Sequence, residues 1–147
     1  MAKLNFVKKA RKEFPGTDVK TGDSYYWWEF RFGGMLRQKN KPRRSQLTQS
    51  GFLGQVWDIE DEIEALTLEE LISSGMDEII ERIRELGQEQ EDKLSNMPDQ
   101  LQETGSGEML RGRVDMCEEW ASNLEQVEIP DLEEVLGEIQ GCCYEGE

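Results

Sequence analysis

An aromatic run that ends in two glycines constrains this chain more than any other stretch. Six of its twelve aromatic residues lie between Tyr25 and Phe32, and Gly33-Gly34 follows directly. Aromatic strands broken by a Gly-Gly pair predict a β-hairpin, because both central positions of a type I′ turn require positive φ. With a two-residue turn, Phe32 faces Met35, Phe30 faces Arg37 and Trp28 faces Lys39 on one side. The other side then carries Tyr25, Trp27, Glu29 and Arg31 with Leu36 and Gln38. A lone hairpin is marginal in water, so one face must pack on something. The rings divide between two uses: core packing, or a platform on which bases stack while Arg and Lys meet phosphates.

The charge of −15 is unevenly spread. Residues 1–46 hold 12 Lys/Arg and 4 Asp/Glu, a net of +8, whereas residues 47–147 hold 5 and 28, a net of −23. This step places a domain boundary near residue 46, between a basic aromatic head with its linker (1–46) and an acidic body (47–147). The length of 147 residues suits one domain or two small ones. With a mean hydropathy of −0.73 and no apolar run near ~20 residues, no membrane span is expected. The start, Met1 to Lys9, lacks the apolar core of a secretion signal, so a cytoplasmic location is expected.

Along the head, residues 4–14 fit a short helix or a strand beside the hairpin. They contain the densest cationic cluster, Lys8-Lys9-Ala10-Arg11-Lys12. Lys20-Thr21-Gly22-Asp23 reads as a turn. Lys39 to Arg44 reads as an extended basic linker, since Pro42 biases Lys41 away from the helical region. The linker contacts phosphates, runs solvated, or clamps the acidic body.

From Phe52 onward the period becomes helical. Phe52, Val56, Ile59, Ile63 and Leu66 form one stripe, after a start rich in capping residues at 45–50. Thr67-Leu68-Glu69-Glu70 has capping-box spacing, and Ser73-Ser74-Gly75 breaks the helix it opens. Met76, Ile79, Ile80, Ile83, Leu86, Gln90, Leu94 and Met97 form a longer stripe that stops at Pro98. Gly105-Ser106-Gly107 reads as a loop. Met109, Leu110, Val114, Cys117, Trp120, Leu124 and Val127 line the next helix. Pro130 suits the first turn of a last helix, Leu132, Val135, Leu136 and Ile139 its apolar face, and Gly141 its cap. The expected fold is α+β, mostly α. A small N-terminal β-hairpin head precedes an acidic antiparallel helical hairpin or bundle.

Several chemistries lack their residues. Without histidine there is no His-based triad or His-metal site. The only Gly-x-Gly, at 105–107, follows no strand, and the acidic run 58–62 lacks the spacing of a calcium loop. Cys117, Cys142 and Cys143 match no zinc spacing and are expected as reduced thiols. The expectation is a non-enzymatic protein without metal or cofactor.

The residues Gly22–Trp28, Phe30–Gly34 and Pro42–Thr48, with Asn96-Met97-Pro98 and Gly107–Leu110, resemble a group of short proteins of tailed bacteriophages and their hosts. The likeness covers most of the chain. It implies a phage origin, hence host-cell cytoplasm, and no particular activity. Phe30–Gly34 in a strand also resembles the three-stranded arm-binding domains of phage integrases, and carries over no functional residue.

Three functional expectations follow. The first is a phage accessory protein acting by macromolecular binding. Its head would contact nucleic acid, DNA or RNA, through Lys8, Lys9, Arg11, Lys12, Arg31, Arg37, Arg43 and Arg44, with Tyr25 and Trp27 stacking, while its acidic body meets a protein partner. The second is an acidic mimic or anti-defence inhibitor, its carboxylates Glu60, Asp61, Glu62, Glu64, Glu69 and Glu70 occupying a basic groove of a host nucleic-acid-handling enzyme. The third is a small virion or assembly protein forming homo-oligomers through its helical stripes.

Overall fold

Three antiparallel strands in the order β1-β2-β3 open the chain: β1 (Asn5–Val7), β2 (Tyr25–Phe30) and β3 (Gly34–Gln38). A single 3-10 turn (Arg44–Leu47) leads to helices α1 (Gly51–Glu64), α2 (Leu68–Ser74), α3 (Asp77–Ser95), α4 (Asp99–Gln102), α5 (Gly105–Glu125) and α6 (Leu132–Gly141). The computed structural model describes residues 1–74 and 76–142. The fold is α+β and mostly α, with the sheet at the N-terminus and helices after it. Residues 4–14, which fitted either helix or strand, supply β1, and β1 pairs with β2 through Phe6 and Tyr26.

Two compact units make up the chain, Met1–Leu66 and Thr67–Glu147. The division falls after α1 rather than at residue 46, so the first acidic helix belongs with the basic sheet. The first unit therefore holds 12 Lys/Arg and 9 Asp/Glu, and the second 5 and 23. The segregation persists, but the first unit's net charge falls to +3.

The hairpin register differs from the one the Gly-Gly pair implied. Trp28 lies opposite Leu36, Trp27 opposite Arg37 and Phe30 opposite Gly34. The chain reverses over Arg31-Phe32-Gly33, with the Gly33 N–H donating to the Phe30 carbonyl at 3.4 Å, and Gly34 takes the left-handed φ of +76°. Three-residue loops commonly place one left-handed residue after a turn, so one glycine there suffices. The shift is by three residues, an odd number, and an odd shift exchanges the faces of a strand. Arg37 thereby moves to the face of Tyr25 and Trp27.

That face packs on the loop between β1 and β2. Ala10, Val19 and Tyr25 form its buried core, flanked by Val7, Phe14 and Trp27. The opposite face carries Trp28, 2% exposed. Gln38 on this side accepts a hydrogen bond from Gln46 at 3.0 Å, which draws the 3-10 turn across it. Leu47 and Phe52 are buried as well. Ser50 caps α1 by accepting the Leu53 N–H at 3.2 Å, as the capping-rich start predicted.

In the second unit, α3 and α5 form a helical hairpin. Arg84 pairs with Glu125 at 2.6 Å, Gly87 faces Cys117, and Arg113 donates to Gln90 at 3.4 Å. Rising numbers on α3 meet falling numbers on α5, so the helices run antiparallel. Ile79, Ile80, Ile83, Leu86 and Gln90 are buried along α3, as the stripe predicted, and Leu110, Cys117 and Ala121 along α5. Met109 and Val127, expected on the buried stripe, are 49% and 60% exposed. The predicted capping box forms between Thr67 and Glu70. The last helix is capped by Asp131, which accepts from Glu133 and Glu134; Pro130 therefore precedes the cap, and Gly141 stays within the helix. Its apolar residues are all exposed.

Residues 105–107, expected as a loop, are the first turn of α5. Gly107 is buried there, and a Cβ on it would meet the Gln102 backbone carbonyl at less than contact distance. This glycine marks a close approach of α4 to α5 rather than a break. Gly107→Ala forces that backbone apart and should lower stability by about 1–3 kcal/mol, the usual cost of overpacking. Gly105→Ala, with open space around it, provides the control in thermal unfolding.

Candidate nucleic-acid interface

The loop from Lys8 to Ser24 holds its cations on a fastened backbone. The Ala10 N–H donates to the Asp23 carbonyl at 2.7 Å, and the Gly22 N–H donates to the Ala10 carbonyl at 2.9 Å. Ala10 itself is 1% exposed. Lys9 and Arg11, on either side of this anchor, are exposed. Phe14 is tied in turn by its N–H to the Val19 carbonyl at 3.2 Å. The turn predicted at Lys20–Asp23 closes with the Asp23 N–H on the Lys20 carbonyl.

Asp23 fastens the loop to Lys39, the residue that follows β3. It accepts the Lys20 N–H at 2.9 Å and pairs with Lys39 at 3.1 Å. The Lys20 amide, and after it the Lys39 ammonium, hold the Asp23 carboxyl below the usual carboxylate range. A depressed carboxyl contributes stability that is present above its unfolded pKa and lost as pH falls through its folded one. Acidification below that range should therefore loosen the loop. Hydrogen exchange at the Lys20 amide checks this: protection falls on acidification in the native protein, and Asp23→Asn shows reduced protection already at neutral pH.

Between the loop and β2 lies a cavity of about 570 Å³, lined by Val7, Lys9, Arg11, Lys12, Phe14 and Tyr25. Phe14 is the centre of this wall. Its ring meets Tyr25 at 5.4 Å between centroids, Arg37 lies over it at 4.2 Å, and Lys12 at 5.6 Å. Cations within about 6 Å of a ring centroid are attracted to its face.

The ten head residues singled out in the sequence fall into three groups. Lys8, Lys9, Arg11, Lys12, Arg31 and Arg37 have no carboxylate within ion-pair distance among the described residues. Arg43 and Arg44 are engaged within the unit: Arg43 pairs with Asp58 at 3.3 Å, and Arg44 with Glu60 at 3.2 Å and Asp61 at 2.8 Å. Asp61 raises the Arg44 guanidinium further above its ordinary pKa. The linker thus clamps α1, one of the three roles expected for it. Tyr25 is buried and Trp27 half-buried, both packed with the core. The exposed rings of the sheet are others: Phe32 at the hairpin tip, 87% exposed with Arg31 beside it at 5.3 Å, and Phe6, which meets Tyr26 at 4.9 Å. A phenylalanine between Arg31 and Gly33 was the available signal for the first. Nothing local marked Phe14 as the ring that gathers Arg37.

The six carboxylates proposed for a partner divide between the units. Glu60 and Asp61 are held by Arg44, and Glu62 and Glu64 are exposed on α1. Glu69 and Glu70 lie at the start of α2, where Glu70 closes the capping box. The Thr67 N–H, then its hydroxyl, keep Glu70 below the usual carboxylate range. Cys117 is buried against Gly87, and burial pushes its thiol up, which makes it a packing residue. Cys142 is exposed, and Cys143 lies outside the described residues. Among the described residues, no group of three His, Cys, Asp or Glu could hold a metal ion, and no helix is long and apolar enough to cross a membrane. No family model, curated protein or solved structure matches the chain.

Proposed function

We propose that the protein is a non-enzymatic phage accessory protein whose first unit contacts nucleic acid. One observation carries this reading: Lys8, Lys9, Arg11, Lys12, Arg31 and Arg37 have no carboxylate within ion-pair distance among the described residues, although the same unit contains nine carboxylates. Unpaired cations on a fastened backbone are the groups that displace condensed counterions from a phosphate chain. The second unit, with 23 carboxylates against 5 basic residues, is repelled by nucleic acid and is the side offered to a basic protein partner.

Salt titration of the full-length protein on a labelled oligonucleotide tests the reading. Six phosphate contacts give a slope of log K against log salt near −4 on a single strand, at ~0.7 per phosphate. Affinity should then fall by about 250-fold between 50 and 200 mM salt. Replacing Lys9, Arg11 and Lys12 together by glutamine should reduce the slope by about two. Replacing Arg43 and Arg44 should leave it unchanged, because those side chains already face carboxylates. No binding at low salt, or a slope that answers to Arg43 and Arg44 instead, overturns the proposal.

A further inference from the structure

We infer that the cavity beside Phe14 seats a single nucleotide unit, its base against the apolar wall and its phosphate among Lys9, Arg11 and Lys12. The protein then takes single-stranded nucleic acid in preference to duplex. The inference rests on the reading above and narrows it to one site and one form of ligand.

The size fits first. The volume of about 570 Å³ lies within the ~300–1,000 Å³ range of pockets that enclose small ligands. Such a space has room for one base and its phosphate. A base must be unstacked to enter, and that is least costly in a single strand.

The chemistry of the wall fits next. Val7, Phe14 and Tyr25 give an apolar, partly aromatic surface, and three cations border it with no carboxylate within ion-pair distance among the described residues. A ligand complementary to this wall is flat and apolar on one side and strongly anionic on the other. A nucleotide combines both within one unit. An acidic peptide separates them onto different residues.

The wall is also formed in advance. Phe14 is fixed by its bond to Val19, by Tyr25 and by the Arg37 guanidinium. Ala10 holds Lys9 and Arg11 through its two backbone bonds. The backbone and the aromatic wall thus need little ordering by the ligand, which favours binding of a small group.

Amide chemical shifts of the full-length chain, titrated separately with adenosine monophosphate, adenosine and inorganic phosphate, test the seat. Adenosine monophosphate should shift Val7, Lys9 to Phe14 and Tyr25, and bind about tenfold or more tightly than adenosine or phosphate, a difference of about 1.4 kcal/mol. Lys9→Gln with Arg11→Gln should abolish those shifts while leaving the other amide positions in place, since both side chains are exposed. A short single strand should compete better than the same strand in a duplex. Shifts from phosphate as strong as from the nucleotide overturn the seat, as does duplex binding equal to single-strand binding; salt-dependent binding would then still support the wider reading. An acidic peptide that shifts the same amides as strongly overturns the nucleotide assignment. Loss of all oligonucleotide binding at low salt overturns both.

Discussion

Trp28→Ala should lower the free energy of unfolding by about 3–5 kcal/mol, the range for removing a buried large aromatic side chain. Trp28 is 2% exposed and stands opposite Leu36 at the centre of the β2–β3 ladder. Its face is the one that Gln38 and Gln46 hold against the 3-10 turn, so truncation opens a cavity between sheet and turn. The indole Nε1 is buried without an acceptor among the described residues. Trp28→Phe keeps most of the ring volume and loses the indole N–H, and should cost far less than the alanine variant. Urea unfolding of the three proteins, with amide protection in β2 and β3, decides the matter. Equal losses for the two variants would mean that the ring volume does not set the stability of the sheet.

Ile83→Ala should cost about 2–5 kcal/mol. Ile83 is fully buried on α3, on the face that meets α5. The neighbouring contact is tight, because a Cβ on Gly87 would stand 3.0 Å from that of Cys117. Helices already in such contact have little room to collapse further onto a hole, which places this substitution toward the upper part of the range. Met116→Ala, at a residue 57% exposed on α5, should change stability by no more than about 0.5 kcal/mol. Similar losses at the two positions would contradict the assignment of the α3 stripe as the hairpin's core.

The candidate site was legible in part. Lys8, Lys9, Arg11 and Lys12 stand out as a charge cluster, and all four lack a carboxylate partner among the described residues. Arg37 was singled out too, but on the wrong face of the sheet. Its position follows from the hairpin register, and Gly33-Gly34 permits two turn lengths that differ little locally. Packing chose between them. In the observed register Leu36 stands opposite buried Trp28, and Arg37 reaches Phe14. Arg43 and Arg44 look like the other cations in sequence. Their carboxylate partners lie 15 to 17 residues further on, beyond the reach of local reading.

The sequence by itself determined the long helices and the caps at Ser50 and Thr67. A period of 3.6 and a cap depend on groups within about four residues of one another, so Ser50, the Thr67–Glu70 box and the α3 stripe could be read directly. Only the tertiary structure decided which cations remain unpaired, which rings are covered, and that α1 belongs with the sheet. Those outcomes depend on groups distant in the chain, whose ion pairs and contacts exist only once folding has brought them together.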